Sequence, residues 1–179
     1  AKQFQNDPVR IMLGNSNQPT ETVRQSYLTT AEQHKSGAVR SLLKQEQPRL
    51  ALIFCNTRRR VKYLQKQLSE QGVPVSCLHG DLSQSQRNEI MATFRNGKTS
   101  VLVATDVAAR GIDVNNIDLV INYDIPDKME YYVHRIGRTG RAGHLGRACT
   151  LVSPHESRKV MDIERRFRIK LCKEQANSG

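Results

Sequence analysis

The run LALIFC, Leu50 to Cys55, decides the fold. Six consecutive apolar residues with no polar alternation are too short for a core helix and far too short to span a bilayer. They fit a strand buried on both faces, the kind found in parallel sheets covered by helices. Downstream, Val61, Leu64 and Leu68 recur at helical spacing, and Val73–Leu78 reads as a further strand. Ser83 and Gln86 form an S-x-x-Q capping box that opens a helix carrying Ile90, Met91 and Phe94. Val101–Ala104 and Leu119–Asn122 are two more short apolar strands. A helix over Met129–Ile136 leads to a last strand, Arg147–Val152, which Pro154 stops, and a closing helix carries Val160, Ile163 and Phe167. Upstream of the run lie a strand, Val23–Thr29, and a helix with Val39, Leu42 and Leu43 on one face. Strands alternating with helices predict one α/β domain with a mostly parallel, doubly wound sheet and helices on both faces.

The 179 residues suit one such domain. The boundaries read as a lead-in over 1–22, rich in turn formers such as Pro8, Gly14 and Pro19, a domain over 23–170 and a polar tail over 171–179. A start without Met and a polar end suggest an excised piece. A formal charge of +11 and a pI near 9.9 point to a polyanionic partner, nucleic acid or an acidic membrane surface. No charged-then-apolar leader opens the chain, and the expected setting is intracellular, cytoplasm or nucleus, with no membrane partner. Cys55, Cys77, Cys149 and Cys172 are scattered without a CxxC pair, so no metal site is expected and packing accounts for them.

In a doubly wound sheet, ligands gather beyond the carboxyl ends of the strands. Three polar loops fall there: Asn56, Thr57 and Arg58; His79, Gly80 and Asp81; Thr105 and Asp106. Later comes HRIGRTGR, His134 to Arg141, with Arg138 and Arg141 among glycines. Guanidinium forks match phosphate oxygens and keep their charge. Glycines allow the backbone close to a bulky anion. A solvated basic loop is the plain alternative for an isolated R-x-x-R. Thr105 or Asp106, where a strand turns into a helix, fits capping as well as phosphate binding.

FCNT (Phe54–Thr57), HGD (His79–Asp81), QSQR (Gln84–Arg87), ATDVAARGID (Ala104–Asp113) and HRIGRTGR occur in this order. Together they resemble the C-terminal motifs IV, IVa, V and VI of DEAD-box ATP-dependent RNA helicases, over about Val23 to Val152. Residues 1–10 resemble the end of a preceding RecA-like domain and its linker. The resemblance implies a single C-terminal RecA-like domain. It implies that Arg138 and Arg141 reach ATP phosphate as arginine fingers and that Gly111 and Asp113 face the nucleotide. His134 would couple the two domains. Arg87 and Thr105 would contact the RNA backbone, with Asn56, Thr57, Arg58, Gly80, Asp81 and Asp106 on the same RNA-facing rim. ATP and Mg2+ would be held mainly by the N-terminal RecA-like domain of the same chain, with RNA and protein cofactors as further partners. The fragment alone would be inactive.

The nucleotide-holding half is missing from these residues. Gly97-Lys98-Thr99 resembles the end of a phosphate loop, but Ala92 stands where its first glycine belongs and a helix precedes it. Gly137, Gly140, Gly143 and Gly146 recur every three residues, too late and too evenly for a dinucleotide fingerprint. The basic stretch Arg165–Lys170 reads as a solvated helix end with Phe167 and Ile169 turned inward. With 5% aromatic residues and no exposed ring in the rim motifs, backbone contact without base readout is expected. Two competing readings are an RNA-binding scaffold recruited by partners and a helicase branch acting on DNA.

Overall fold

The computed structural model describes residues 22–141 and 143–175; the sequence-based lead-in lies outside them but for Thr22. Seven strands form one sheet in the order β3-β4-β2-β5-β6-β1-β7, and every pairing is parallel. The strands are β1 (Val23–Thr29), β2 (Ala51–Phe54), β3 (Val75–Leu78), β4 (Val101–Ala104), β5 (Leu119–Asn122), β6 (Gly146–Val152) and β7 (Cys172–Glu174). Between them run α1 (Lys35–Glu46), α2 (Arg58–Glu70), α3 (Gln84–Arg95), the single turn α4 (Asp106–Ala109), α5 (Met129–Ile136) and α6 (Ser157–Phe167).

The Leu50–Cys55 run explains the two-layer covering. Period-2 geometry sends its side chains alternately to either face. Leu50, Leu52 and Phe54 join Phe94, Ile136, Ile163 and Phe167 beneath α3, α5 and α6. Ala51, Ile53 and Cys55 join Val39, Leu42, Val61, Leu64 and Leu68 beneath α1 and α2. Each fully buried large side chain contributes about 1.5–3 kcal/mol, and both layers depend on this one uniformly apolar strand. Burial also keeps the thiols of Cys55 and Cys149 protonated, the latter with its pKa pushed up to about 12.

Local chemistry sets the helix starts. Thr57 caps α2 by accepting from the Arg60 amide (3.2 Å), and Ser83 with Gln86 makes the reciprocal capping box read from the sequence. The Gly97-Lys98-Thr99 segment is the turn that closes α3, with Gly97 at φ +82°. Phe167 is buried and Ile169 packs on the core beside exposed Arg165 and Arg166.

One boundary needs correction. The tail read over 171–179 contains β7, which pairs with Ser26–Leu28 of β1. Leu171 is buried, and Glu174 meets Arg147 of β6 (2.5 Å), whose Nε lies 2.8 Å from Glu46. A buried arginine needs partners for its charge, and Glu174 is one of them. The segment Leu171–Glu174 is short and mixed in polarity, so no periodicity marks it as a strand.

Candidate functional site

Because all strands run the same way, their carboxyl ends share one rim, and the loops after β2, β3, β4 and β5 meet there. The site has a buried centre and an exposed edge.

Arg135 is the centre. It lies on the inner side of α5, 1% exposed. Its Nε and Nη2 bond both carboxylate oxygens of Asp106 (2.7 Å each), a bidentate fork. Nη1 donates to the Asp124 carbonyl (2.7 Å) and to Asn122 Oδ1 (3.2 Å), and Nη2 also donates to Asn56 Oδ1 (2.7 Å). The guanidinium lies over the Phe54 ring at 5.2 Å. One side chain thus ties together the loops after β2, β4 and β5. The amide oxygen of Asn56 and the carboxylate of Asp106, both placed on the RNA rim by sequence, are occupied with Arg135.

Asp124 joins this centre to a second cluster. Its Oδ2 accepts from the Asn56 amide (2.9 Å), and its carboxylate receives Arg60 (2.7 Å to Nη2). Arg60 also pairs with Glu32, and buried Lys35 lies 3.3 Å from Glu32. Lys35 and Arg60 face the Tyr123 ring at 5.5 and 5.1 Å. Burial pushes Glu32 upward, but its hydrogen bond to Arg60 and the nearby cations outweigh that and hold the carboxyl below its ordinary value.

The exposed edge has two groups. Near the ends of β3 and β4, Arg58 pairs with Asp81, which also receives Lys62 (3.2 Å). That Lys62 hydrogen bond, with Arg58 nearby, keeps the Asp81 carboxyl below the usual range. The Asp81 amide donates to His79 Nδ1 (3.2 Å), and Gly80 is exposed beside them. Arg87 on α3 donates to the carbonyls of Ala108 (2.6 Å) and Arg110 (3.1 Å). The Thr105 hydroxyl caps α4 by accepting from Ala108 (3.3 Å).

On the other side of that loop, Arg138 donates to the Ile112 carbonyl (2.8 Å). The segment Ala108–Ile112 is therefore held by Arg87 from one side and Arg138 from the other. Gly111, at φ +80°, is exposed on it, and Asp113 is exposed just after it. Burial, and after it the charge of Arg141, disfavours the ionised form of Arg138. Neither Arg138 nor Arg141 meets a carboxylate among the described residues, and His134 is exposed one turn back. Also among the described residues, no group of three or more His, Cys, Asp or Glu could hold a metal ion, and no helix is long and apolar enough to cross a membrane.

Arg135, Arg60, Lys35 and Asp124 carry the architecture of the site, and sequence reading passed over all four. For Arg135 a signal existed: it falls on the same helical side as the apolar Tyr132 and Ile136, an inward position that a solvated arginine would not take.

The family described as helicase conserved C-terminal domain matches residues 34–143. A relative named ATP-dependent RNA helicase FAL1, from Kluyveromyces lactis, is 42% identical over 177 residues, covering 98% of this chain and 44% of its own length. Among solved structures, the Escherichia coli DEAD-box protein SrmB bound to regulator of ribonuclease activity A has a TM-score of 0.81 at 37% identity, covering 85% of this chain and 90% of that one. Saccharomyces cerevisiae Dbp5 bound to RNA and ADP BeF3 has a TM-score of 0.84 at 31% identity, covering 93% and 45%. The chain belongs to the helicase conserved C-terminal domain family, as the C-terminal RecA-like domain of a DEAD-box protein. It spans under half the length of the FAL1 relative it matches.

Proposed function

We propose that this chain is the C-terminal half of an ATP-dependent RNA helicase, presenting Arg138 and Arg141 to ATP held by an N-terminal RecA-like domain. The observation that carries the reading is electrostatic. Two adjacent guanidinium groups, one of them partly buried, lack a carboxylate among the described residues. Such a pair repels itself until an anion arrives, and a triphosphate supplies that anion. The Ile112 carbonyl keeps Arg138 in place meanwhile, and Gly111 and Asp113 beside it face the sugar and base. As charge develops on the transferred phosphoryl group, the forks stabilise it without reorganising. Mg2+ travels with the ATP and is held by acidic residues of the other domain. His134 transmits closure between the two domains.

RNA would lie along the other group. A capping oxygen leaves its own hydroxyl proton unused, so Thr57 and Thr105 still have an O–H to donate to phosphate. Arg87, pinned by two carbonyls, still has N–H groups to donate to phosphate, with Arg58 and the Gly80 backbone further along the rim. The Asp81 carboxylate accepts a 2′-hydroxyl, which would favour RNA over DNA. Asn56 and Asp106 act through Arg135 as positioning residues. Contacts of this type bind sugar and phosphate without reading bases. An intracellular setting, cytoplasm or nucleus, and protein cofactors accompany this proposal.

In a protein carrying both halves, Arg138→Ala should lower RNA-stimulated ATP hydrolysis by about 10³-fold or more; unchanged turnover rejects the finger role. The 179-residue chain alone should show no measurable hydrolysis, and turnover by it would contradict the division of labour. Tight, salt-resistant RNA binding by this chain would favour a binding scaffold instead.

A further inference from the structure

We infer that the outer face of α2 extends the RNA path beyond the rim, with Tyr63 as a stacking platform and Arg59, Lys62 and Lys66 as backbone contacts. The inference rests on the RNA-rim reading above. Val61, Leu64 and Leu68 fix the inner side of α2 against the sheet. By helical geometry the opposite side carries Arg59, Lys62, Tyr63 and Lys66. Tyr63 is 54% exposed, the aromatic one among the large hydrophobic side chains exposed in the described residues. Lys62 and Lys66 side chains are 55% and 72% exposed.

The charge placement is unusual for helix stability. The first turn of α2 is Arg58-Arg59-Arg60 and contains no acidic residue, although cations are unfavourable at that end of a helix. Arg60 is compensated by Glu32 and Asp124, whereas Arg58 and Lys62 share the single carboxylate of Asp81, which leaves one of those two charges uncompensated. Arg59 has no ion pair among the described residues, and Lys66 has only Glu70 at 4.0 Å. The face is thus left positive, and its complement is an anionic partner. The same helix begins at Thr57, inside the proposed RNA rim, so a strand leaving the rim meets this face next. Cations flanking an exposed ring suit single-stranded nucleic acid, because every base has a stacking face and the contact tolerates any sequence. At 1.5 Å per residue, Tyr63 lies about 9 Å and Lys66 about 13 Å along the axis from Thr57. That length adds on the order of two to four nucleotides at about 3.4 Å stacking separation.

The test is fluorescence anisotropy of the 179-residue chain with oligouridylates of about five and about ten nucleotides. Tyr63→Ala should weaken the longer RNA by about 5- to 30-fold and leave the shorter unchanged. Tyr63→Phe should restore the longer RNA, and Lys66→Ala should flatten its salt dependence. Equal losses on both lengths, or none, overturn the extension. A silent Tyr63→Ala beside a damaging Arg87→Ala sinks the extension alone and leaves the rim reading standing. If the unmodified chain binds neither length, the rim reading and the extension fall together.

Discussion

Arg135 and Arg138 stand three residues apart on one segment, yet they live in opposite physical regimes. Arg135 is 1% exposed, and its guanidinium meets a carboxylate bidentately, two side-chain amides, a carbonyl and an aromatic face. Arg138 has carbonyl partners only and a second cation as neighbour. The first arrangement is complete and has nothing left to offer a ligand. The second is incomplete and gains from an anion. The difference teaches that residue type and motif membership do not assign a role; the set of partners does.

The sharpest way to break the comparison is activity. If Arg138 is reactive and Arg135 architectural, Arg138→Ala should abolish turnover in a protein carrying both halves while the melting temperature of this chain stays within a few degrees. A large loss of stability would make Arg138 structural after all. Arg135→Ala should act the other way. It leaves Asp106 uncompensated at a largely buried site, a cost of about 3–5 kcal/mol for breaking such a pair. Urea unfolding of the chain reads this directly, and Arg135→Lys should rescue little, since an ammonium cannot reproduce the fork. A denaturation midpoint unchanged by Arg135→Ala would remove the distinction.

Gly140→Ala probes the loop that runs from Arg138 to Arg141. Gly140 has φ +71°, and an added methyl group would sit 2.7 Å from Thr22 Oγ1 and 2.8 Å from Val23 Cγ2. Backbone strain and overpacking together should cost about 2–4 kcal/mol in thermal or chemical unfolding. A neutral result would mean that this loop yields easily. The smallest effect is the pH response of Glu32. Its carboxyl is held below its ordinary value, so its contribution is present above about pH 4.5 and fades as pH falls through the lowered value. The melting temperature should therefore decline more gently toward acid in Glu32→Gln than in the unmodified chain. Parallel curves would exclude Glu32 as a source of acid sensitivity.

Much of this molecule is legible in its sequence. LALIFC carried the parallel sheet because a strand covered on both sides must be apolar at every position. Ser83 and Gln86 gave a helix start because capping is local. The buried centre was not legible, since the partners of Arg135 lie 11 to 79 residues away in sequence; only topology brings Asn56, Asp106 and Asp124 to one point. β7 was missed for the same reason. Its place depends on Arg147 and the edge of β1, and nothing within Cys172–Glu174 announces it. Tyr63 escaped notice because a lone ring on a helix is ordinary until its exposure and neighbours are known.

The seam at Thr22 has a mechanical consequence. The Thr22 hydroxyl donates to the Gly140 carbonyl (2.6 Å) and the Gly146 amide donates to the Thr22 carbonyl (2.8 Å), with the two glycines pressed together behind them. The strand through which the polypeptide joins the sheet is thereby buckled to the loop bearing Arg141. A displacement of the backbone at residue 22 therefore acts on that loop at once, without first travelling through the sheet, and the residue leading into the sheet's entry strand shares its anchorage with Arg141.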